Sequence, residues 1–142
     1  MTVMECLVPG RGQGVVMVLT APLSFWGGVT ADGVIADRRH PQRGGCVAER
    51  ILVLPPSKGS SSSSSVLAEL IRAGQGPVGL ILPQPDPIIV VGVLAANELY
   101  AADVPVVRAA GLAIVDDELC ALTADLNGHV AIRRLPPTGD QS

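Results

Sequence analysis

Two rhythms of apolar and polar positions alternate along this chain, and each change of rhythm marks a change of element. Short β-branched runs at Cys6-Leu-Val, Val15-Val-Met-Val-Leu19 and Ile51-Leu-Val-Leu54 predict strands. Between the first two, Gly10-Arg-Gly-Gln-Gly14 reads as a hairpin turn. Its spacing is superficially that of a nucleotide-binding glycine loop, but such a loop must run into a helix and this one runs into a strand. Residues 22–28 predict a loop, Thr30-Ala-Asp-Gly33 a turn, and Val34-Ile-Ala another short strand.

The period lengthens at Val66-Leu-Ala-Glu-Leu-Ile-Arg-Ala-Gly74. Val66, Leu67, Leu70 and Ile71 share one stripe while Glu69 and Arg72 face out, which predicts a helix over about residues 62–73. Gly79-Leu-Ile-Leu82 predicts a strand. The stretch from Asp86 to Tyr100 has a β-branched start that suits a strand. An Asp N-cap, Pro87 at the first helical position and the length favour a helix, and we read it as a buried one. Residues 104–108 and 111–115 are strand candidates, and residues 119–123 and 129–133 form a hairpin across Asp125-Leu-Asn-Gly128. The tail from Pro136 is rich in Pro and Gly and reads as loose. The fold class is α/β, with a β-rich, barrel-like body and flanking helices, in one domain over residues 1–135 followed by the tail 136–142.

Composition narrows the function. Hydrophobic residues make up 48% of the 142, yet only Phe25, Trp26 and Tyr100 are aromatic, so Val, Leu, Ile and Ala must build the core. A net charge of -3 gives no electrostatic reason to expect nucleic acid. No apolar run approaches the roughly 18–20 residues that span a bilayer, so no membrane is expected. Nothing at the start reads as a secretion signal, and a cytoplasmic protein with reduced thiols is the default. Cys6, Cys46 and Cys120 are scattered, and His40 and His129 stand far apart, so no metal site built by this chain alone is expected.

Candidate chemistry gathers at six consecutive serines, Ser60 to Ser65, between the Ile51 strand and the Val66 helix. A helix start leaves backbone N–H groups unpaired, adds partial positive charge and is capped well by serine, which makes an anion site. A serine run also suits a flexible linker, but these flanks look like neighbouring elements of one βα unit. Phe25 and Trp26 stand side by side in a glycine-rich loop, either as a partner surface or pocket wall or as a local lid on the core. Asp37-Arg-Arg-His-Pro-Gln-Arg43 offers three arginines that suit a carboxylate or phosphate, or else a solvated face with one salt bridge to Asp37.

Together these motifs resemble a known family. Pro22-Leu-Ser-Phe-Trp-Gly-Gly-Val29, His40-Pro-Gln-Arg-Gly44, Leu52-Val-Leu-Pro55, Gly59 with its serines, and Val66 to Gly74 occur in this order in the small subunit of aconitase X. Asp86-Pro-Ile, Glu98-Leu-Tyr and Pro105-Val-Val extend the resemblance over nearly the whole chain. Thr30-Ala-Asp-Gly33 departs from it, being shorter than the family's usual Asp-Pro-x-Thr-Gly turn. The resemblance implies a swivelling β/β/α domain detached as its own chain. Its partner would be a large subunit that holds an iron–sulfur cluster and most substrate contacts, this chain carrying no cofactor. It implies loss of water from a small β-hydroxy acid, with Ser60, the first serine after Gly59, as the base that takes the α proton. A serine hydroxyl is a poor base in water, so it needs a dry site with fixed positive potential, which the helix start, Lys58 or a partner's cation would supply. Ser61 takes that role if the helix starts one residue later. Gly59, Ser61, Ser24, Phe25, Gly27, Gly28 and His40 become the substrate-binding or supporting positions. Family members act on cis-3-hydroxy-L-proline or on phosphomevalonate. Phe25-Trp26, His40-Pro41 and the unbroken serine run are the bacterial, hydroxyproline-type forms. The competing class is a non-enzymatic module that holds an anion at the serine-capped helix.

Overall fold

Every residue of Gly79–Leu82 is buried, which happens to a strand only where both faces of its sheet are covered. In the computed structural model, which describes residues 4–56, 62–111 and 114–136, this strand belongs to a mixed sheet of seven. The strands are β1 (Met4–Val8), β2 (Gly10–Val18), β3 (Arg50–Val53), β4 (Gly79–Leu82), β5 (Val106–Ala109), β6 (Leu119–Ala124) and β7 (Val130–Arg134). They lie in the order β1-β5-β4-β3-β2-β6-β7. Strands β2 to β5 run parallel to their neighbours among themselves; β1 is antiparallel to β5, and the β6–β7 hairpin is antiparallel to β2. The end strands β1 and β7 approach each other, so the sheet curls into a nearly closed barrel.

Helix α2 (Ser62–Arg72) connects β3 to β4, and α3 (Pro87–Tyr100) connects β4 to β5. Strand periodicity sorts the apolar side chains into two cores. Leu52, Leu80 and Val106 meet Leu67, Leu70, Ile89 and Val93 from the helices, with Phe25 in the same cluster. Their neighbours Ile51, Ile81 and Val107 point the other way and join Val16, Cys120 and Leu122 inside the barrel. The helices touch closely because α3 carries Gly92, where a Cβ would stand 2.8 Å from the Ser64 carbonyl oxygen, and the Ser64 hydroxyl donates to the Ile88 carbonyl at 2.7 Å.

Local signals decide most of these elements. The Asp86 carboxylate caps α3 by accepting from the N–H groups of Ile88 and Ile89, Pro87 opens it, and Ala101 ends it in the left-handed region at φ 56. The β6–β7 turn is held in the same way by Asp125, which accepts from Asn127 and His129. The His129 N–H, above the other contacts, holds the Asp125 carboxyl below its ordinary range. Its contribution to the turn is therefore present above the ordinary carboxylate range and is lost only as pH falls through the lowered value.

Four expectations are corrected. Residues 10–14 are not a hairpin turn but the first half of β2, paired with β6; β1 leaves β2 and pairs at the far end of the sheet. Residues 34–36 make only isolated bridges, Val29 with Ile35 and Val34 with Cys46. No strand forms at the described residues of 111–115, where Gly111, Ile114 and Val115 are irregular and 112–113 lie outside the described residues. Helix α3 is not buried all round, because only its inner face is covered; Val91, Leu94, Leu99 and Tyr100 are exposed. The turn at 30–33 forms, closed by a Gly33 N–H to Thr30 carbonyl bond of 2.9 Å. The tail beyond residue 136 lies outside the described residues. No helix among the described residues is long and apolar enough to cross a membrane.

Candidate functional site

Parallel strands joined by crossover helices leave their carboxyl ends open as a natural ligand crevice. Here that end carries a cleft of about 320 Å³ lined by Leu19, Val53, Pro56, Pro83, Ala110 and Ile114. The chain leaves the cleft at Pro56, passes through residues 57–61, which lie outside the described residues, and re-emerges as the first turn of α2. Lys58, Gly59, Ser60 and Ser61, the expected base and its neighbours, thus lie outside the described residues. A larger hollow of about 1060 Å³ lies at the opposite end of the parallel strands, beside Gly10, Asp103 and His129, away from this chemistry.

The aromatic loop docks on that first turn. Residues 25–28, labelled α1 (Phe25–Gly28), form a single tight turn that is not helical inside, with Trp26 at φ -80, ψ 113 and Gly27 at φ 80, ψ -12. These are the torsions of a type II turn, whose third position needs the positive φ that glycine adopts freely. The two aromatics divide: Phe25 is 1% exposed and belongs to the helix-side core, while Trp26 is 61% exposed. The two readings of the aromatic pair thus divide between the residues, Phe25 closing on the core and Trp26 facing outward, because a turn aims adjacent side chains apart. Gly28 is buried, and its carbonyl accepts from Ala36 N–H at 2.9 Å, which ties the turn to the 37–43 segment.

Ser63 stitches the turn to the helix. Its hydroxyl oxygen accepts from the Trp26 N–H at 3.3 Å, and the Ser24 hydroxyl donates to the Trp26 carbonyl at 3.0 Å. The two hydroxyl oxygens lie 3.4 Å apart. Because the Ser24 proton is used on the carbonyl, this contact carries the Ser63 proton, and a ring of hydrogen bonds closes through both polar groups of Trp26's backbone. Ser63 is 3% exposed and the Ser64 hydroxyl bonds α3, so both hydroxyls are used inside the chain. The signal was present: Ser63 lies four positions before Leu67, on the same buried stripe.

His40 sits behind the loop. Its Nδ1 accepts from the Gln42 N–H at 3.0 Å, so the ring proton lies on Nε2, which donates to the Ala21 carbonyl at 3.0 Å. The ring is 5% exposed, with both nitrogens used inside the chain, which makes His40 a support for the loop's entry. His40→Ala is therefore expected to cost roughly 2–4 kcal/mol in denaturant unfolding, from the lost ring volume and two broken hydrogen bonds. A change below about 0.5 kcal/mol would mean that the histidine is not part of the scaffold. Beside it, Arg38, Arg39 and Arg43 are exposed. The salt bridge expected at Asp37 is absent among the described residues; its carboxylate instead accepts the Arg39 N–H at 2.9 Å.

An iron–sulfur cluster does not fit the described residues. No three of His, Cys, Asp or Glu among them gather as metal ligands. Cys6 lies on β1 and Cys120 on β6, where burial pushes each thiol up, away from the thiolate that a metal needs.

A nearly closed mixed barrel, two crossover helices on its outside and a serine-rich helix start at the strands' carboxyl end define a swivelling β/β/α domain. The chain belongs to the aconitase X swivel domain family, which it matches over residues 2–131. It is 39% identical over 101 residues to the cis-3-hydroxy-L-proline dehydratase of Pseudomonas aeruginosa, a match covering 70% of this chain and 17% of that protein. It is 36% identical over 89 residues to the phosphomevalonate dehydratase small subunit of Methanothermobacter thermautotrophicus, covering 62% of this chain and 68% of that subunit. The crystal structure of Thermococcus kodakaraensis aconitase X in its holo form superposes with a TM-score of 0.76 at 26% identity, over 95% of this chain and 98% of that one.

Proposed function

We propose that this chain is the small subunit of an aconitase X-type hydro-lyase that removes water from cis-3-hydroxy-L-proline, with Ser60 as the base. The observation that carries the reading is the βα crossover from β3 to α2: β3 ends at the cleft, Ser62 to Ser65 open the helix that follows in the chain, and the aromatic turn is bonded to that helix start. Helix-end N–H groups there favour an anion, either a substrate carboxylate or the ionised serine. Ser60 would take the proton α to the carboxylate. Ser61 is the alternative base. The Phe25–Gly28 turn, with Ser24 and His40 behind it, would wall the site. A cluster, when present, would supply Lewis-acid help in removing the hydroxyl; because this chain's described residues do not assemble its ligands, the cluster is assigned to a large-subunit partner.

Hydroxyproline is favoured by Phe25-Trp26, His40-Pro41 and the unbroken serine run. Phosphomevalonate is the second reading, favoured by the match to 68% of a free-standing small subunit, against 17% of the Pseudomonas dehydratase. The test is to purify the chain alone and with the large subunit, then assay water loss from both acids. Turnover of cis-3-hydroxy-L-proline by the pair, with neither iron nor turnover in the isolated chain, is expected. Turnover of phosphomevalonate alone would transfer the assignment to the second reading. Turnover of neither acid by a stable pair would leave the anion-binding module.

A further inference from the structure

Burying a hydroxyl costs free energy unless hydrogen bonds replace its water, so a buried serine with a closed set of partners is a position built for a purpose. Among the described residues only two polar side chains are buried, His40 and Ser63. Both hold the same segment. His40 fixes its entry at the Ala21 carbonyl, and Ser63 fixes its turn at the Trp26 N–H. The ring through Ser63, Ser24 and the Trp26 backbone is thus the polar connection from the aromatic turn to the first turn of α2. Hydrogen bonds in such a ring polarise one another, so opening it at one member weakens the rest.

We propose that Ser63 is a positioning residue for the dehydration, holding the Phe25–Gly28 turn in fixed register against the first turn of α2, which follows the proposed catalytic serine in the chain. The inference rests on the dehydratase reading above. In the sequence Ser63 follows Ser60 by three positions, so the turn that Ser63 fixes is the described structure next after the proposed base. The Trp26 turn and the first turn of α2 then meet a bound acid as one unit. Misplacement of a reacting group by about 1 Å costs about 10²-fold in rate.

The test uses the assembled enzyme and the free chain in parallel. In the assembled enzyme, Ser63→Ala is expected to lower kcat about 10- to 100-fold with KM changed less than about twofold. Ser63→Thr, which keeps the oxygen, should recover most of that loss. Ser24→Ala should act in the same direction more weakly, and the double variant should be no worse than Ser63→Ala, because both open one ring. In the free chain, the single Trp26 reports the turn directly: Ser63→Ala should quicken its local motion in time-resolved fluorescence anisotropy. If wild type turns over and Ser63→Ala keeps its kcat, the positioning role is overturned. It is equally overturned if the Thr variant is as poor as Ala while Ser24→Ala is normal, since the oxygen would then be irrelevant. If no assembled pair turns over either acid, the functional reading fails by itself. The connection is then judged on Trp26 alone, where unchanged anisotropy in Ser63→Ala overturns it.

Discussion

An assembled enzyme carrying Ser60→Ala is expected to turn over about 10²- to 10⁴-fold more slowly than wild type, the range that a positioned base contributes. The substitution removes one oxygen, so its cost in stability is about 1 kcal/mol at most, and that only if Ser60 also serves as the N-cap. Activity and stability therefore separate, and thermal unfolding of the variant chain next to its kcat shows whether they do. Near-normal activity in a properly assembled Ser60→Ala enzyme would end the proposed mechanism. A dead Ser61→Ala enzyme beside an active Ser60→Ala one would keep the mechanism and move the base by one residue. The Ser63 variant makes the natural comparison: it should slow turnover less than loss of the base.

A large effect on folding is expected at Gly12. A Cβ there would lie 2.0 Å from the Val78 carbonyl oxygen, which is backbone and unable to swing aside, and at Gly14 it would lie 2.4 Å from the Glu49 carbonyl oxygen. Both glycines share the parity of Val16, whose side chain fills the barrel interior. Gly12→Ala must therefore push β2 away from the segment leading into β4, at a cost on the order of 3 kcal/mol. For a chain of this size that is about 10 °C in Tm. Gln13→Ala, exposed on the opposite face, is expected to change stability by less than about 0.5 kcal/mol. A Gly12→Ala chain that melts within a degree or two of wild type would show that the barrel wall is looser than this contact requires.

Gly12 also marks where reading the sequence stopped working, and the reason is physical. Glycines at alternate positions suit both a tight turn and a strand pressed against another backbone. Only the Val78 and Glu49 carbonyls, more than 30 residues away in the chain, distinguish the two. Elements whose causes are local were legible: α2 from its stripe, α3 from Asp86 and Pro87, β4 from its apolar run, and the β6–β7 hairpin from its turn. The one-sided burial of α3 was not, because an apolar sequence does not say how many of its faces find a partner. The site divides in the same manner. Motif order singled out the aromatic turn, His40 and the serine run, and residues 57–61 lie outside the described residues. Ser63 was passed over because its value comes from Trp26 and Ser24, which the chain brings to it only by folding. By itself, then, the sequence determined the helices, the central strands, the hairpin and the family, all of which depend on neighbours within a few residues or on motif order. Tertiary structure alone decided the strand order, the packing of the β2 glycines and the coupling of the aromatic turn to the serine helix, because each is a contact between segments whose meeting no local pattern encodes.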